Sequence, residues 1–178
     1  DVILLTKPIG TGVATTAVKN ARAPEALVAE VTRSMQALNK AAAEVLIGMG
    51  APVHACTDVT GFGLLGHASE VAEASGVTLE IEAATVPLFT GVLAHVATNR
   101  TGGMLANRSH FAAAIKVANG VSADLADLLY DPQTSGGLLA FLPAPAADAA
   151  LRALTAAGVS AHAIGRVTGR GNDLIALR

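Results

Sequence analysis

The stretch that most constrains this chain is Ala55-Cys56-Thr57-Asp58-Val59-Thr60-Gly61-Phe62-Gly63-Leu64-Leu65-Gly66-His67. An apolar approach from Val53 runs into an acid, then glycines, then a helical pattern, which together describe a strand, a turn and a helix. Gly61 and Gly63 permit backbone geometry that other residues resist. A new helix leaves its first amide N–H groups unpaired, so the turn suits an anion. Asp58 stands where that anion would sit. A bare carboxylate repels a phosphate unless a divalent cation lies between them and takes both as ligands. Asp58 is therefore either a turn or capping residue or a metal ligand.

Around this stretch the chain alternates irregularly between strand and helix. Val2 to Leu5 reads as a buried strand, ended by Lys7-Pro8 and the loop Gly10-Thr11-Gly12, after which Val13 to Asn20 is helical. That loop is either a plain turn or a glycine loop facing a ligand. Pro24-Glu25 starts a helix with Leu27, Val31, Met35 and Leu38 on its apolar stripe, and Asn39 caps or breaks before a second set at Ala42, Val45, Leu46 and Met49. The helix after the central turn closes at Ser75-Gly76. Val77 to Glu82 alternates as a half-exposed strand with Val77, Leu79 and Ile81 on one face. Pro87 to Ala97 is expected to be helical and Thr98 to His110 irregular. A helix near Ala123 to Leu129, a loop Asp131 to Gly137, a strand Leu138 to Leu142 and a helix Ala146 to Ala157 follow. Ser160 to Val167 and Asp173 to Leu177 read as a closing hairpin around Gly169-Arg170-Gly171. The pattern is mixed α/β without repeat or linker, in a single domain over residues 1–178.

Composition excludes several roles. Aromatic residues make up 3% with no Trp, and the formal charge is -2, so neither stacking platforms nor a basic surface for nucleic acid is supplied. No apolar run approaches the roughly 20 residues of a membrane-spanning helix. The single Cys56 precludes an internal disulfide framework and fits a reducing compartment. The opening Asp1-Val2-Ile3 lacks both a secretory pattern and an initiator Met, so the chain is expected to begin inside a longer protein.

Among the remaining candidates, Gly61-Phe62-Gly63-Leu64-Leu65-Gly66 matches G-x-G-x-x-G, with Glu80 and Glu82 about 20 residues on, as a dinucleotide site wants. Asp58 ahead of the turn would repel a pyrophosphate, and some fifty residues precede the unit, which argues against that reading. Asp131-Pro132 is an ordinary turn pair, with metal ligation the alternative for Asp131. Cys56 is expected to be a small buried strand residue, and a nucleophile only with an activating base beside it. The histidines at 54, 67, 95, 110 and 162 show no zinc spacing, and no P-loop sequence is present.

Four blocks together resemble another set of proteins: Thr6-Lys7-Pro8-Ile9-Gly10-Thr11-Gly12, Leu38-Asn39-Lys40-Ala41-Ala42, Cys56 to His67, and Asp131-Pro132-Gln133-Thr134-Ser135-Gly136-Gly137-Leu138-Leu139. In order and spacing they are similar to the C-terminal half of the selenophosphate synthetase (selenide, water dikinase) family, across essentially the whole chain. The resemblance implies a domain of the aminoimidazole ribonucleotide synthetase superfamily, a three-layer α/β/α unit with a mixed sheet, partly ferredoxin-like. It also implies a cytoplasmic, homodimeric parent enzyme that uses ATP, Mg2+ and selenide to make selenophosphate, releasing AMP and orthophosphate. Asp58 matches the family's C-terminal Mg2+ ligand. The family's reactive Cys or selenocysteine and its Lys lie in the N-terminal half, which has no counterpart here, so this piece alone is expected to be inactive. Thr11, Gly12, Thr134 and Ser135 are candidates to line the nucleotide cleft. Other readings are a different ATP-dependent reaction of the superfamily (aminoimidazole ribonucleotide synthetase, hydrogenase maturation, thiamine-phosphate kinase) or a non-catalytic nucleotide-binding or dimerisation module.

Overall fold

The computed structural model describes residues 1–50 and 53–178. Its centre is a seven-stranded mixed sheet of β1 (Val2–Leu5), β2 (Ala55–Asp58), β3 (Thr78–Ile81), β4 (Ile115–Val117), β5 (Leu138–Leu142), β6 (His162–Thr168) and β7 (Ile175–Leu177). The spatial order is β2-β5-β1-β6-β3-β7-β4. Pairings are antiparallel from β2 to β3 across the sheet, and parallel for β3 with β7 and β7 with β4.

The helices are α1 (Thr11–Lys19), α2 (Glu25–Gln36), α3 (Lys40–Gly48), α4 (Gly63–Ser75), α5 (Gly102–Phe111), α6 (Ala123–Leu128) and α7 (Ala144–Ala156). They cover both faces of the sheet. The larger core joins Ile3, Leu5, Leu79, Leu139 and Ile164 to Val13 of α1, Val31 of α2, Leu64 of α4, Met104 of α5 and Leu128 of α6. On the opposite face Leu4, Ala140 and Leu142 pack with Ala42 and Leu46 of α3 and Ala150 and Leu154 of α7. Alternation explains this split: Ile3 and Leu5 point one way and Leu4 the other, so a strand apolar at every position must be covered twice. The three-layer α/β/α expectation holds. No helix among the described residues is long and apolar enough to cross a membrane.

Several local expectations fail for tertiary reasons. Thr98 to His110 is mostly the helix α5, because the Thr101 hydroxyl accepts the Met104 N–H at 3.0 Å and Met104 and Asn107, one turn apart, are both buried. Pro87 to Ala97 holds only a 3-10 turn at Val92–His95; Gly91 before it is left-handed (φ 75°), and Leu88 is drawn into an extended bridge with Ile9. The closing hairpin does not form, since β3 inserts between β6 and β7. Thr78 fixes this arrangement by donating to the Asp173 carbonyl at 2.6 Å and accepting the Gly171 N–H at 2.9 Å.

Strand β3 is buried on both faces rather than one. Glu80, the acid that a dinucleotide site would require, is held between Arg166 and Arg178. Leu38 leaves the apolar stripe because α2 ends at Gln36, and it is 79% exposed. Strand β4 gave no sequence signal, being three residues with only Ile115 buried.

Candidate functional site

The loop from Asp131 to Gly137, leading into β5, is where the sequence motifs converge. Asp131 is fully buried, and its Oδ2 accepts the Gly12 and Val13 N–H groups at 2.8 and 3.0 Å. Gln133 Oε1 accepts the Gly10 and Thr11 N–H groups at 3.0 and 3.1 Å. The unpaired amides that open α1 are thus satisfied by two side chains lying 118 to 123 residues further along the chain, and not by a local cap. The Thr11 hydroxyl accepts the Thr134 N–H at 2.8 Å, closing the junction.

The central turn attaches to the same loop. Val59 N–H donates to the Gly137 carbonyl at 2.8 Å and Gln133 N–H to the Thr60 carbonyl at 2.9 Å. The Asn107 amide donates to both the Gly61 and Tyr130 carbonyls at 2.9 Å. Gly136 lies so close to Val59 that any Cβ would collide with the Val59 carbonyl. On the other flank, Lys7 Nζ donates to the Ser135 carbonyl at 2.7 Å and the Asn39 amide to the Gly136 carbonyl at 2.9 Å. Asn39 therefore serves as a tether to this loop; its side chain does not cap α3.

The turn after Asp58 differs from an open anion cradle. Gly63 N–H donates to the Thr60 carbonyl at 3.0 Å and Leu65 N–H to the Leu129 carbonyl at 3.1 Å, so protein carbonyls already take amides from the start of α4. Gly63 has φ +71°, and a Cβ there would meet the Tyr130 carbonyl group at 2.7 Å; the glycine serves close packing as well as turn geometry.

Asp58 ends β2, an edge strand, and its side chain is exposed. Its cross-strand neighbour is Leu138, and that of Cys56 is Ala140, which places both on the face carrying α3 and α7. Cys56 is exposed, contrary to the expectation of a buried residue, because an edge strand has a neighbour on one side only. Partial burial of the sulfur, and then the Asp58 charge, push its thiol pKa up, away from a reactive thiolate.

Asp58 forms no ion pair among the described residues, and no group of three or more His, Cys, Asp or Glu there could hold a metal. The chemistry of its exposed carboxylate oxygens fits one ligand of a hard divalent cation, with the other ligands coming from outside this set. Of the other candidates, Thr11 is 2% exposed and Gly12 is tied to Asp131, whereas Thr134 and Ser135 are exposed. The structure brings these four together in one junction. Asp131 is held in an environment that raises its pKa to about 6: burial raises it, and hydrogen bonds from Val13, Gly12, Gln133 and Thr101 oppose the rise. The roles of Lys7, Gln133 and Asn107 escaped sequence reasoning. Lys7 and Gln133 stand in the blocks that carry the resemblance, which marks their positions without their partners, and Asn107 gave no signal.

A family model described as "AIR synthase related protein, C-terminal domain" matches residues 1–176. Selenide, water dikinase 2 of Peptoclostridium acidaminophilum is 43% identical over 170 residues, which cover 94% of this chain and 48% of that protein. Selenide, water dikinase of Geobacter metallireducens is 45% identical over 168 residues, again 94% of this chain and 48% of the relative. The chain thus spans about half the length of the curated relatives it matches. Among solved structures, E. coli HypE, a hydrogenase maturation protein, superimposes with a TM-score of 0.63 at 19% identity, over 99% of this chain and 45% of that one. Thiamine monophosphate kinase from Aquifex aeolicus gives 0.57 at 14% identity, over 99% and 49%. These two likenesses establish the fold. With a sheet flanked on both faces by helices and a family model that runs over nearly its whole length, the chain belongs to the AIR synthase related protein C-terminal domain family.

Proposed function

We propose that this chain is the C-terminal half of a selenophosphate synthetase, which makes selenophosphate from selenide and ATP with release of AMP and orthophosphate. The observation that carries the reading is the 43–45% identity to two selenide, water dikinases over 94% of the chain. In this reading residues 1–178 form one domain of a two-domain, homodimeric, cytoplasmic enzyme, and the nucleophile-bearing half precedes it.

Asp58 supplies one carboxylate ligand to Mg2+ in the ATP cleft. When bound, the cation offsets the charge of the phosphate groups during transfer. The chain's own contribution is placement. Asp58 sits at the end of β2, and the next residue, Val59, is bonded to Gly137, so the carboxylate is fixed relative to the 131–137 loop. Thr134 and Ser135 face the nucleotide on that loop, and Thr11 and Gly12 hold it through Thr134 N–H and Asp131. Cys56, with its raised thiol pKa, takes no part in phosphoryl transfer.

The test is selenide-dependent AMP formation by the full-length protein, wild type beside Asp58→Asn. Asparagine keeps the size and removes the charge. Collapse of turnover with partial recovery in excess Mg2+ is the expected outcome, and unchanged turnover would leave Asp58 as a turn residue. Selenide-dependent AMP formation by the 178-residue chain alone would overturn the assignment of the nucleophile to the other half.

A further inference from the structure

The side chain of Lys7 is unexplained by the chemistry assigned to Asp58. It is 9% exposed, and its ammonium donates to the Ala37 carbonyl at 2.6 Å and the Ser135 carbonyl at 2.7 Å. It makes no ion pair among the described residues. Two carbonyl dipoles do not cancel a full charge, and burial draws the Lys7 pKa below the usual lysine value. An ammonium has three donors, so one remains after these two bonds.

Lys7 lines a cavity of about 520 Å³ between the end of α2, the start of α3 and the turn after α7. That volume falls in the range of roughly 300–1,000 Å³ typical of small-molecule sites. Arg33, in the last turn of α2, lines the same cavity and likewise forms no ion pair among the described residues. Glu30 is the single carboxylate of the lining, and it accepts the Thr90 N–H at 3.1 Å. Two cations against one carboxylate leave the cavity positive. Ser34 and Ser160 add hydroxyl groups.

We propose that this cavity binds a small phosphate-bearing anion between the buried Lys7 ammonium and the exposed Arg33 guanidinium. The planar fork of Arg33 matches two oxygens of a phosphate, and the remaining Lys7 N–H meets a third. The bound charge supplies the counter-ion that Lys7 lacks. Because Lys7 also holds the Ser135 carbonyl, binding stiffens the 131–137 loop from the side opposite α1. Asp58 does not line this cavity, so the site stands or falls separately from the metal assignment.

The experiment is an NMR titration of the 178-residue chain with inorganic phosphate against sodium chloride at matched ionic strength, repeated with AMP as a phosphate monoester. Saturable shifts of the Ser34, Asn39 and Ser160 amides are expected with phosphate and not with chloride. Arg33→Ala, at an exposed helix position, weakens binding by about tenfold or more, the size of one charge-assisted hydrogen bond. Lys116→Ala, which removes an exposed cation on β4 that does not line the cavity, leaves the affinity unchanged. Lys7→Met abolishes binding, and since that variant risks the fold, Arg33→Ala carries the decision. Shifts no larger than those in chloride, or an Arg33→Ala affinity equal to wild type, would overturn the proposal. Whichever of phosphate and AMP binds more tightly identifies the form of phosphate the site takes.

Discussion

Replacing Asp131 with alanine tests the junction that holds the motifs together. The carboxylate accepts Gly12 N–H at 2.8 Å and Val13 N–H at 3.0 Å from within a fully buried position. Its removal uncaps α1 by stranding one buried and one part-buried donor, at about 1–3 kcal/mol each. Water entering the vacated space recovers part of this, so the expected loss at pH 7 is about 2–4 kcal/mol. Urea denaturation followed by circular dichroism reads it as a fall in the midpoint at constant slope.

The pH dependence gives an independent check of the same residue. Burial raises the Asp131 pKa from 3.8 to about 6 in the folded protein, outweighing the hydrogen bonds that oppose it. A carboxyl with a raised folded pKa binds its proton more tightly in the native state. Its contribution to stability is therefore full below 3.8 and is lost as pH rises through about 6. The gap between wild type and Asp131→Ala widens on acidification across this window, by an amount on the order of 3 kcal/mol. A loss at pH 7 below about 1 kcal/mol, or a gap that narrows on acidification, would refute the reasoning.

Two further outcomes follow from the turn and the edge strand. Gly63→Ala places a Cβ 2.7 Å from the Tyr130 carbonyl group at φ +71°, so it costs more than the roughly 1 kcal/mol of left-handed strain alone. Gly61→Ala, with open space around it, stays within about 1 kcal/mol of wild type in the same melts. Cys56 is an exposed residue, yet partial burial of its sulfur, and then the Asp58 charge, push its thiol pKa up. Iodoacetamide at neutral pH, followed by mass spectrometry, should alkylate it more slowly than a model thiol and faster in Asp58→Asn; equal rates in the two proteins would remove Asp58 as a cause.

The convergence of motifs shows what was legible and what was not. Leu138 to Leu142 and Val2 to Leu5 were readable because an unbroken apolar run bounded by Gly or Pro has few fates other than a buried strand. Helices α2, α4 and α7 followed from apolar spacing with Pro or Gly at their ends. Helix α5 was missed because its stripe is short: two buried positions and a threonine cap give little periodic signal. Asp131-Pro132 read as a turn pair, and it does lie in a turn, yet the carboxylate caps a helix whose sequence lies far upstream.

The sequence by itself determined the α/β class, most strands and helices, and the blocks that mark the family, since these depend on local periodicity and on residue types at fixed spacing. Tertiary structure alone decided the strand order, with β3 between β6 and β7, because pairing partners are chosen by long-range packing. It also decided that amides beginning α1 and α4 are spent on Asp131, Gln133 and backbone carbonyls, and that Lys7 is buried without a counter-ion among the described residues. Whether a polar group is satisfied or available depends on what the fold brings within about 3 Å of it, and residues distant in sequence supply that neighbour.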